Sequence, residues 1–199
     1  MRIIPVPADA EELLLPFLQL CVNWSIDRPH LDVDAIRADD QLLRYVTDWG
    51  RDGDLGVMAI PDTAPGGIAP GDTAPGAADA ASADAADGPH GRSADASAPA
   101  APAGAAWIRI FADDPGFGWV SDSIPELSVA VLPEHQGEGI GRRLISTLIQ
   151  MARLSGVEAI SLAVEEGNGA RHLYDELGFV AVGSSGNSVV MLLDLAPEA

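Results

Sequence analysis

Hydrophobic and polar positions recur with two different periods along the chain, and together these periods predict a mixed α/β fold. Apolar residues spaced three or four positions apart predict helices near residues 10–24, 36–49, 140–151 and 170–177. Apolar runs or strict alternation predict strands at residues 1–6, 54–60, 107–111, 126–132, 159–164, 179–182 and 188–193. Gly186-Asn187 joins the last two strands as a hairpin turn. We therefore expect a sheet of about six to seven strands flanked by about four helices.

Residues 61–106 break this pattern. Ala, Gly and Pro dominate the segment, Ile68 is its only large aliphatic residue, and the pentapeptide DTAPG occurs at residues 62–66 and again at 72–76. A segment with so little apolar surface cannot offset the conformational entropy that ordering would cost. We predict a long disordered insertion between the second and third strands of a single domain that spans residues 1–199.

The overall composition is strongly acidic. Thirty Asp and Glu residues oppose 11 basic residues, all of which are Arg, and the net charge is −19. Binding to nucleic-acid phosphates needs a basic surface, so we predict no nucleic-acid partner. The richest apolar window, residues 13–22, is short and contains Pro16 and Gln19, and no membrane span is expected. These features predict a cytoplasmic protein.

The cysteine and histidine residues do not suggest a metal site. His30, His135 and His172 lack the spacing relative to Cys21 that a structural zinc site requires, so we predict no metal. A single cysteine also excludes an intramolecular disulfide. Cys21 lies on the apolar face of the first predicted helix and is interpreted as a packing residue.

The densest chemical signal is the sequence QGEGIG at residues 136–141, which follows a predicted strand and opens a helix. Glycine lets the backbone approach a ligand closely, and free N–H groups at a helix N-terminus bind anions such as phosphate. The alternative interpretation is a simple turn between a strand and a helix. The sequence is not the longer phosphate loop that ends in Lys-Ser or Lys-Thr, because the chain contains no Lys.

This loop resembles the pyrophosphate-binding motif of the Gcn5-related N-acetyltransferases (GNAT), in which Gln or Arg is followed by x-x-Gly-x-Gly or Ala. The motif positions are occupied by Gln136, Gly139 and Gly141. A second family pattern, Asn-x-Ala-x-x-Leu-Tyr followed by Gly-Phe, is present at residues 168–174 and 178–179. The resemblance implies the GNAT fold, an α/β fold with a mixed, mostly antiparallel twisted sheet.

The resemblance also implies an acyltransferase that moves an acetyl group from acetyl-CoA, its co-substrate, to a primary amine by direct attack in a ternary complex. The residues implied to bind acetyl-CoA are Val129, Ala130, Val131, Gln136, Gly137, Glu138, Gly139, Ile140, Gly141, Arg142, Asn168 and Ala170. Asn168 is equally interpretable as a helix N-cap. Arg142, Arg143 and Arg171 are expected to balance the negative charge of CoA. Glu138 departs from the basic or neutral residue common at its position in the family.

Two residues are predicted to be catalytic. Tyr174 lies on the apolar stripe of its helix, and this spacing alone favours core packing; the family resemblance instead implies that it protonates the departing CoA thiolate. Glu126 shares a strand face with the small residues Ser128 and Ala130, which leave room for a ligand. Its carboxylate is therefore a candidate base for the incoming ammonium group, and a solvated carboxylate at a strand start is the alternative.

The sequence leaves the acceptor open between a small-molecule amine and a peptide amine. In similar proteins the loop that carries Trp24, Asp27 and His30 borders the substrate side, although ordinary surface positions are an equal interpretation. The strand splay that admits CoA is expected between residues 126–132 and 159–164.

Other functions and assemblies also stay open at this point. A CoA-binding regulatory or interaction module without turnover is the competing function. A dinucleotide-binding oxidoreductase fits less well, because no acidic ribose-binding residue follows the glycine motif at the required distance. A homodimer is one option for the assembly.

Overall fold

The central feature of the fold is one seven-stranded sheet. The structure is a computed structural model, and its described residues are 1–25, 29–62, 100–112 and 115–196. The strands are β1 (Arg2–Pro5), β2 (Leu55–Ile60), β3 (Gly104–Arg109), β4 (Glu126–Val131), β5 (Ala159–Glu165), β6 (Val180–Ser185) and β7 (Ser188–Asp194). Their order across the sheet is β1-β2-β3-β4-β5-β7-β6. Every neighbouring pair is antiparallel except β4 and β5, which confirms the predicted fold class.

Helices cover both faces of this sheet. One face carries α1 (Glu11–Val22), α2 (Val33–Arg37) and α3 (Asp40–Leu43), and the other carries α4 (Ile140–Leu154) and α5 (Ala170–Glu176). A short 3₁₀ turn, Pro133–His135, separates β4 from the loop that precedes α4. Each face has its own apolar core, because alternate residues of a strand point to opposite sides. Within the part of the chain that the structure describes, no helix is both long enough and apolar enough to cross a bilayer.

The predicted second helix, near residues 36–49, is wrong. The structure has two short helices, α2 and α3, followed by turns that continue to Gly50. Two acidic N-caps divide the segment: the Asp32 carboxylate accepts a hydrogen bond from the Ala35 N–H, and the Asp39 carboxylate accepts one from the Gln41 N–H. A new helix starts at each cap, so the apolar stripe does not lie on one continuous helix.

The C-terminal boundary predicted for the insertion is also wrong. Residues 104–106 belong to β3, in register with β2 through Ala59–Gly104 and Met58–Ala105. Ala105 and Ala106 are fully buried. The small residues that suggested low complexity therefore pack in the centre of the sheet. Residues 63–99 lie outside the described residues, and their predicted disorder stays a prediction.

Replacing residues 63–99 by a short Gly/Ser linker is expected to change the melting temperature by less than about 5 °C. The Ala103 N–H donates to the Ala59 carbonyl oxygen (2.8 Å), so the chain segments that flank the replacement are already neighbours. The entropy of closing a flexible loop depends only weakly on its length. Thermal unfolding followed by circular dichroism measures the difference, and loss of cooperative unfolding would contradict the prediction.

A buried charged network holds the segment after α3 against the sheet. The Arg109 side chain is fully buried and donates to both carboxylate oxygens of Asp54 (2.9 and 2.6 Å). It also donates to the main-chain oxygens of Arg44 (2.8 Å) and Thr47 (2.7 Å). Bidentate pairing with these added hydrogen bonds compensates the desolvation of both charges. Because Tyr45 lies between the two anchored carbonyls, its position is fixed by this network.

Candidate active site

The two parallel strands β4 and β5 separate almost as soon as they meet. Their register contains the single pair Glu126–Ser161, next to which the Ser161 N–H donates to the Pro125 carbonyl oxygen (3.0 Å). Beyond this pair a cleft of about 860 Å³ opens between the strands. The predicted splay between these strands is therefore confirmed, and its size is that of a small-molecule site.

Most of the predicted site residues meet at this cleft. Its lining includes Glu126, Val129, Ala130, Val131, Gln136, Asn168, Ala170 and Tyr174. The other predicted residues, Gly137, Glu138, Gly139, Ile140, Gly141 and Arg142, form the loop and the first turn of α4 that directly follow Gln136. The structure thus brings the two sequence motifs to one site.

The exposed edge of β4 presents backbone groups to the cleft. The Val129 carbonyl oxygen accepts a hydrogen bond from the Cys21 thiol (3.3 Å), and the Val131 carbonyl oxygen accepts one from the Gln136 amide (3.3 Å). In an antiparallel pair the N–H and C=O groups of one residue point the same way, so the N–H groups of Val129 and Val131 also point away from β3. The intervening residue, Ala130, points its backbone groups toward β3.

The glycine loop is open on its outer side. Gly137 and Gly139 have φ angles of 80° and 74°, in the left-handed region that favours glycine, and a Cβ on either would meet no atom within 4 Å. The Arg143 N–H donates to the Gly139 carbonyl oxygen (3.2 Å), whereas N–H groups earlier in the first turn of a helix have no intrahelical acceptor. This arrangement can accept an anion.

The charged side chains around the loop already have partners within the protein. Arg142 forms an ion pair with Glu176, and Arg143 donates to the Met1 carbonyl oxygen (3.1 Å). Glu138 lies 3.3 Å from Nδ1 of His135. Arg142 is half-exposed, so its guanidinium can exchange Glu176 for another anion.

The middle of the cleft contains a buried tyrosine next to a thiol. Tyr174 packs edge-on against Phe179, with 5.9 Å between ring centroids, and also lines the cleft, so its packing role is confirmed and its predicted catalytic role stays a prediction. Burial raises the pKa of Tyr174, and Cys21 raises it further, which keeps the hydroxyl protonated at neutral pH. Burial raises the pKa of the Cys21 thiol to about 12. Cys21 packs against the α1 core as predicted and lines the cleft as well.

Glu126 lies at the opposite end of the cleft from the glycine loop. It is 4% exposed, so the alternative of a solvated strand-start carboxylate is wrong. Its Oε1 accepts a hydrogen bond from the Tyr45 hydroxyl (2.8 Å), whereas Oε2 makes no well-formed hydrogen bond with the described residues. Burial raises the pKa of Glu126 to about 7, although the Tyr45 hydroxyl and the nearby Gly118 N–H act in the opposite direction. A carboxylate with this pKa is suited to accept a proton near neutral pH.

The sequence reasoning misses Tyr45, which completes this end of the cleft. Its hydroxyl donates to Glu126 and accepts from the Phe117 N–H (2.8 Å), and its ring stacks on Phe117 with 6.0 Å between centroids. Gly116 lies so close that a Cβ there would collide with Glu126 Oε2. The sequence signal that could have indicated this role is the Tyr45 hydroxyl, which lies among the apolar residues of the stripe in residues 42–49.

Comparison of the sequence with models of known protein families identifies the family of this chain. The model of the acetyltransferase (GNAT) family matches residues 73–179. The chain belongs to the GNAT family. The matched region contains both motifs and both predicted catalytic residues.

Individual curated relatives match shorter segments. The chain is 40% identical over 60 residues to the ribosomal protein bS18-alanine N-acetyltransferase of Haemophilus influenzae, covering 30% of the chain and 41% of the relative. It is 48% identical over 56 residues to the L-amino acid N-acyltransferase MnaT of Escherichia coli, covering 28% of the chain and 33% of the relative. These matches therefore span less than half of either curated relative.

A solved acetyltransferase structure matches the whole chain in its fold. The Salmonella typhimurium acetyltransferase YncA, solved with its cofactor acetyl-CoA, superimposes with a TM-score of 0.57 at 20% identity, covering 100% of this chain and 96% of that one. At this identity the match supports the fold.

Asn168 and the loop after α1 are the remaining predicted positions of this GNAT site. Asn168 Oδ1 accepts a hydrogen bond from the Ala170 N–H (2.9 Å), which supports the capping interpretation, and Asn168 also lines the cleft. Trp24 lines the cleft, whereas His30 is exposed and does not. Asp27 lies outside the described residues. Among the residues with a described position, no three His, Cys, Asp or Glu side chains are grouped to hold a metal ion.

Replacing Tyr45 by Phe is expected to lower acetyl transfer at pH 7 about tenfold. The variant removes the hydrogen bond that favours the Glu126 carboxylate, and hydrogen bonds to charged groups contribute about 1.5–3 kcal/mol. The pKa of Glu126 should then rise, so the acidic limb of the pH dependence of kcat/KM moves to higher pH. If the acidic limb of the pH dependence is unchanged, Tyr45 only packs against Phe117 and does not act on Glu126.

Proposed function

We propose that residues 1–199 form a single N-acetyltransferase domain that transfers an acetyl group from acetyl-CoA to a primary amine. The observation that carries the proposal is the arrangement of the cleft between β4 and β5. The buried Glu126 begins β4, the glycine loop follows the other end of that strand, and Tyr174 lies between them near Cys21, whose thiol donates to the Val129 carbonyl oxygen. This arrangement supports the assignment of an anion site, an acid and a base to these three parts of the cleft.

The cleft residues fit acetyl-CoA as a co-substrate. The N–H groups of the glycine loop and the first turn of α4 are suited to the pyrophosphate. The N–H groups of Val129 and Val131, which point away from β3, are suited to the pantetheine amides and the thioester carbonyl. Asn168 and Ala170 form the opposite wall of the cleft.

In the proposed reaction the amine attacks the thioester directly. Glu126 Oε2 removes a proton from the ammonium group, and the nitrogen forms a bond to the carbonyl carbon while the C=O electron pair moves to oxygen. The Val129 N–H donates to that oxygen as it becomes negative. The C=O bond re-forms as the C–S bond breaks, and the Tyr174 hydroxyl gives its proton to the departing sulfur. The nitrogen then gives its second proton to the Tyr174 phenolate, which restores the hydroxyl, and Glu126 releases its proton to solvent. The products are the N-acetylated amine and CoA.

Two measurements on the purified protein test this function. Calorimetric titration with acetyl-CoA is expected to give saturable binding, and a panel of primary amines is expected to release free thiol. Binding without thiol release from any amine would favour a CoA-binding regulatory module. No binding would mean that residues 136–141 are only a turn.

A further inference from the structure

We propose that the acceptor is a primary amine on an apolar aliphatic or aromatic body, with no carboxylate next to the amine, and so not a free amino acid. This inference rests on the proposed acetyl transfer and names the class of its acceptor. The inference rests on the apolar walls and the buried carboxylate at the Glu126 end of the cleft, and on the absence of a cationic side chain from the described residues that line it.

The walls around Glu126 are apolar. Tyr45 and Leu42 form one side, and Phe117 stacks on the Tyr45 ring across the end of the cleft. Phe117 is 47% exposed, which is unusual for a large apolar side chain and leaves much of its ring open to a ligand. An apolar amine body can pack against these rings while its nitrogen reaches Glu126.

No cationic side chain lines this cleft among the residues that the structure describes. The acidic side chains of the described lining are Glu126 and Glu165. The charge of Arg44 lowers the pKa of Glu126, but Arg44 does not line the cleft. Its guanidinium donates to the Pro115 carbonyl oxygen (2.8 Å) and lies over the Phe111 ring (5.5 Å). Arg109 is paired with Asp54. Among the described lining residues, a substrate carboxylate would therefore find no positively charged side chain.

The two ends of an amino acid would experience this site in opposite ways. Its ammonium group is attracted to Glu126, but its carboxylate lies only one carbon away and would be desolvated beside a second negative charge. Burying an unpaired carboxylate is strongly unfavourable, and like charges at short range add to that cost. The net charge of −19 also favours the approach of cations over anions. An amine without the carboxylate keeps the attraction and avoids both costs.

Matched acceptors test the inference. Phenethylamine differs from L-phenylalanine, and isoamylamine from L-leucine, only by the α-carboxylate. With saturating acetyl-CoA at pH 8, kcat/KM from thiol release is expected to be at least about tenfold higher for each simple amine. Equal or better turnover of the amino acids would overturn the inference.

A binding measurement separates this inference from the proposed reaction. Calorimetry on protein saturated with CoA is expected to give tighter binding of phenethylamine than of 3-phenylpropionate or L-phenylalanine. In Glu126→Gln the preference for the amine over 3-phenylpropionate should shrink. If no amine releases thiol but this order of binding holds, the proposed acetyl transfer fails and the ligand class stands. If the carboxylates bind as well as the amine, the ligand class is wrong whatever the turnover.

Discussion

Replacing Tyr174 by Phe is expected to lower kcat for acetyl transfer by about 100- to 1000-fold and to leave acetyl-CoA affinity nearly unchanged. The Phe ring keeps the edge-on contact with Phe179, so only the hydroxyl is lost. A positioned general acid contributes about 10²- to 10⁴-fold to such a step. Thiol release at saturating acetyl-CoA measures the rate, and calorimetry measures the affinity.

A second acyl donor makes the test specific for proton donation. An acetyl thioester whose thiol is more acidic needs less help to leave, so the difference between wild type and Tyr174→Phe should be smaller with that donor. Because burial keeps the pKa of Tyr174 above its ordinary value of 10, the loss should not vary between pH 6 and pH 8. A variant as active as the wild type would limit Tyr174 to packing.

Replacing Glu126 by Gln is expected to lower kcat/KM for the amine by about 100-fold at pH 8, with little effect on acetyl-CoA affinity. Gln keeps the shape of the side chain and can still accept the Tyr45 hydrogen bond, but it cannot take a proton. Since the wild-type pKa of Glu126 is about 7, wild-type kcat/KM should fall below pH 7, and this limb should be absent in the variant. Equal loss of activity and acetyl-CoA binding would contradict the role as base.

Glu166→Gln is the matched control, because Glu166 is exposed, lies outside the cleft lining and changes the net charge by the same amount. It should retain wild-type activity.

The Glu126→Gln and Glu166→Gln variants should also differ in stability. The pKa of Glu126 is raised from 4.5 to about 7 on folding, so this group favours the folded state most below pH 4.5 and loses that contribution as pH rises through 7.

Glu126→Gln should therefore stabilise the protein at pH 8 more than at pH 5.5, by an amount on the order of 1–3 kcal/mol. Denaturant unfolding at the two pH values measures the difference. Equal effects at both values would mean that the Glu126 carboxylate is not titrating in the buried site.

The parts of this protein that sequence analysis predicts well are those with local signals. The existence and order of the strands follow from short apolar runs, and the glycine loop and Tyr174 lie in compact motifs. The prediction of one second helix is wrong for a local reason as well. The side chains of Asp32 and Asp39 each cap the start of a new short helix, which interrupts a continuous one. Ala105 and Ala106 mislead because small residues occur both in unstructured segments and where a sheet is closely packed.

The missed residues depend on contacts between distant parts of the chain. Tyr45 and Glu126 are 81 positions apart, and Arg109 and Asp54 are 55 apart. No period or motif connects such pairs in a single sequence. The strand face predicted for Glu126 is correct, but its burial is decided by Tyr45 and Phe117, which only the folded chain brings to it.

Because β4 and β5 share a single register pair, the backbone hydrogen bonding of the sheet is nearly interrupted between them. Strands β1–β4 and strands β5–β7 form two hydrogen-bonded blocks that share the apolar core beneath α4 but almost no backbone ladder. Separate blocks of this kind can exchange amide hydrogens as separate cooperative units. A ligand that spans the gap joins the blocks, so amide exchange should slow on both sides of the cleft together when acetyl-CoA is added, including in β7, which does not border β4.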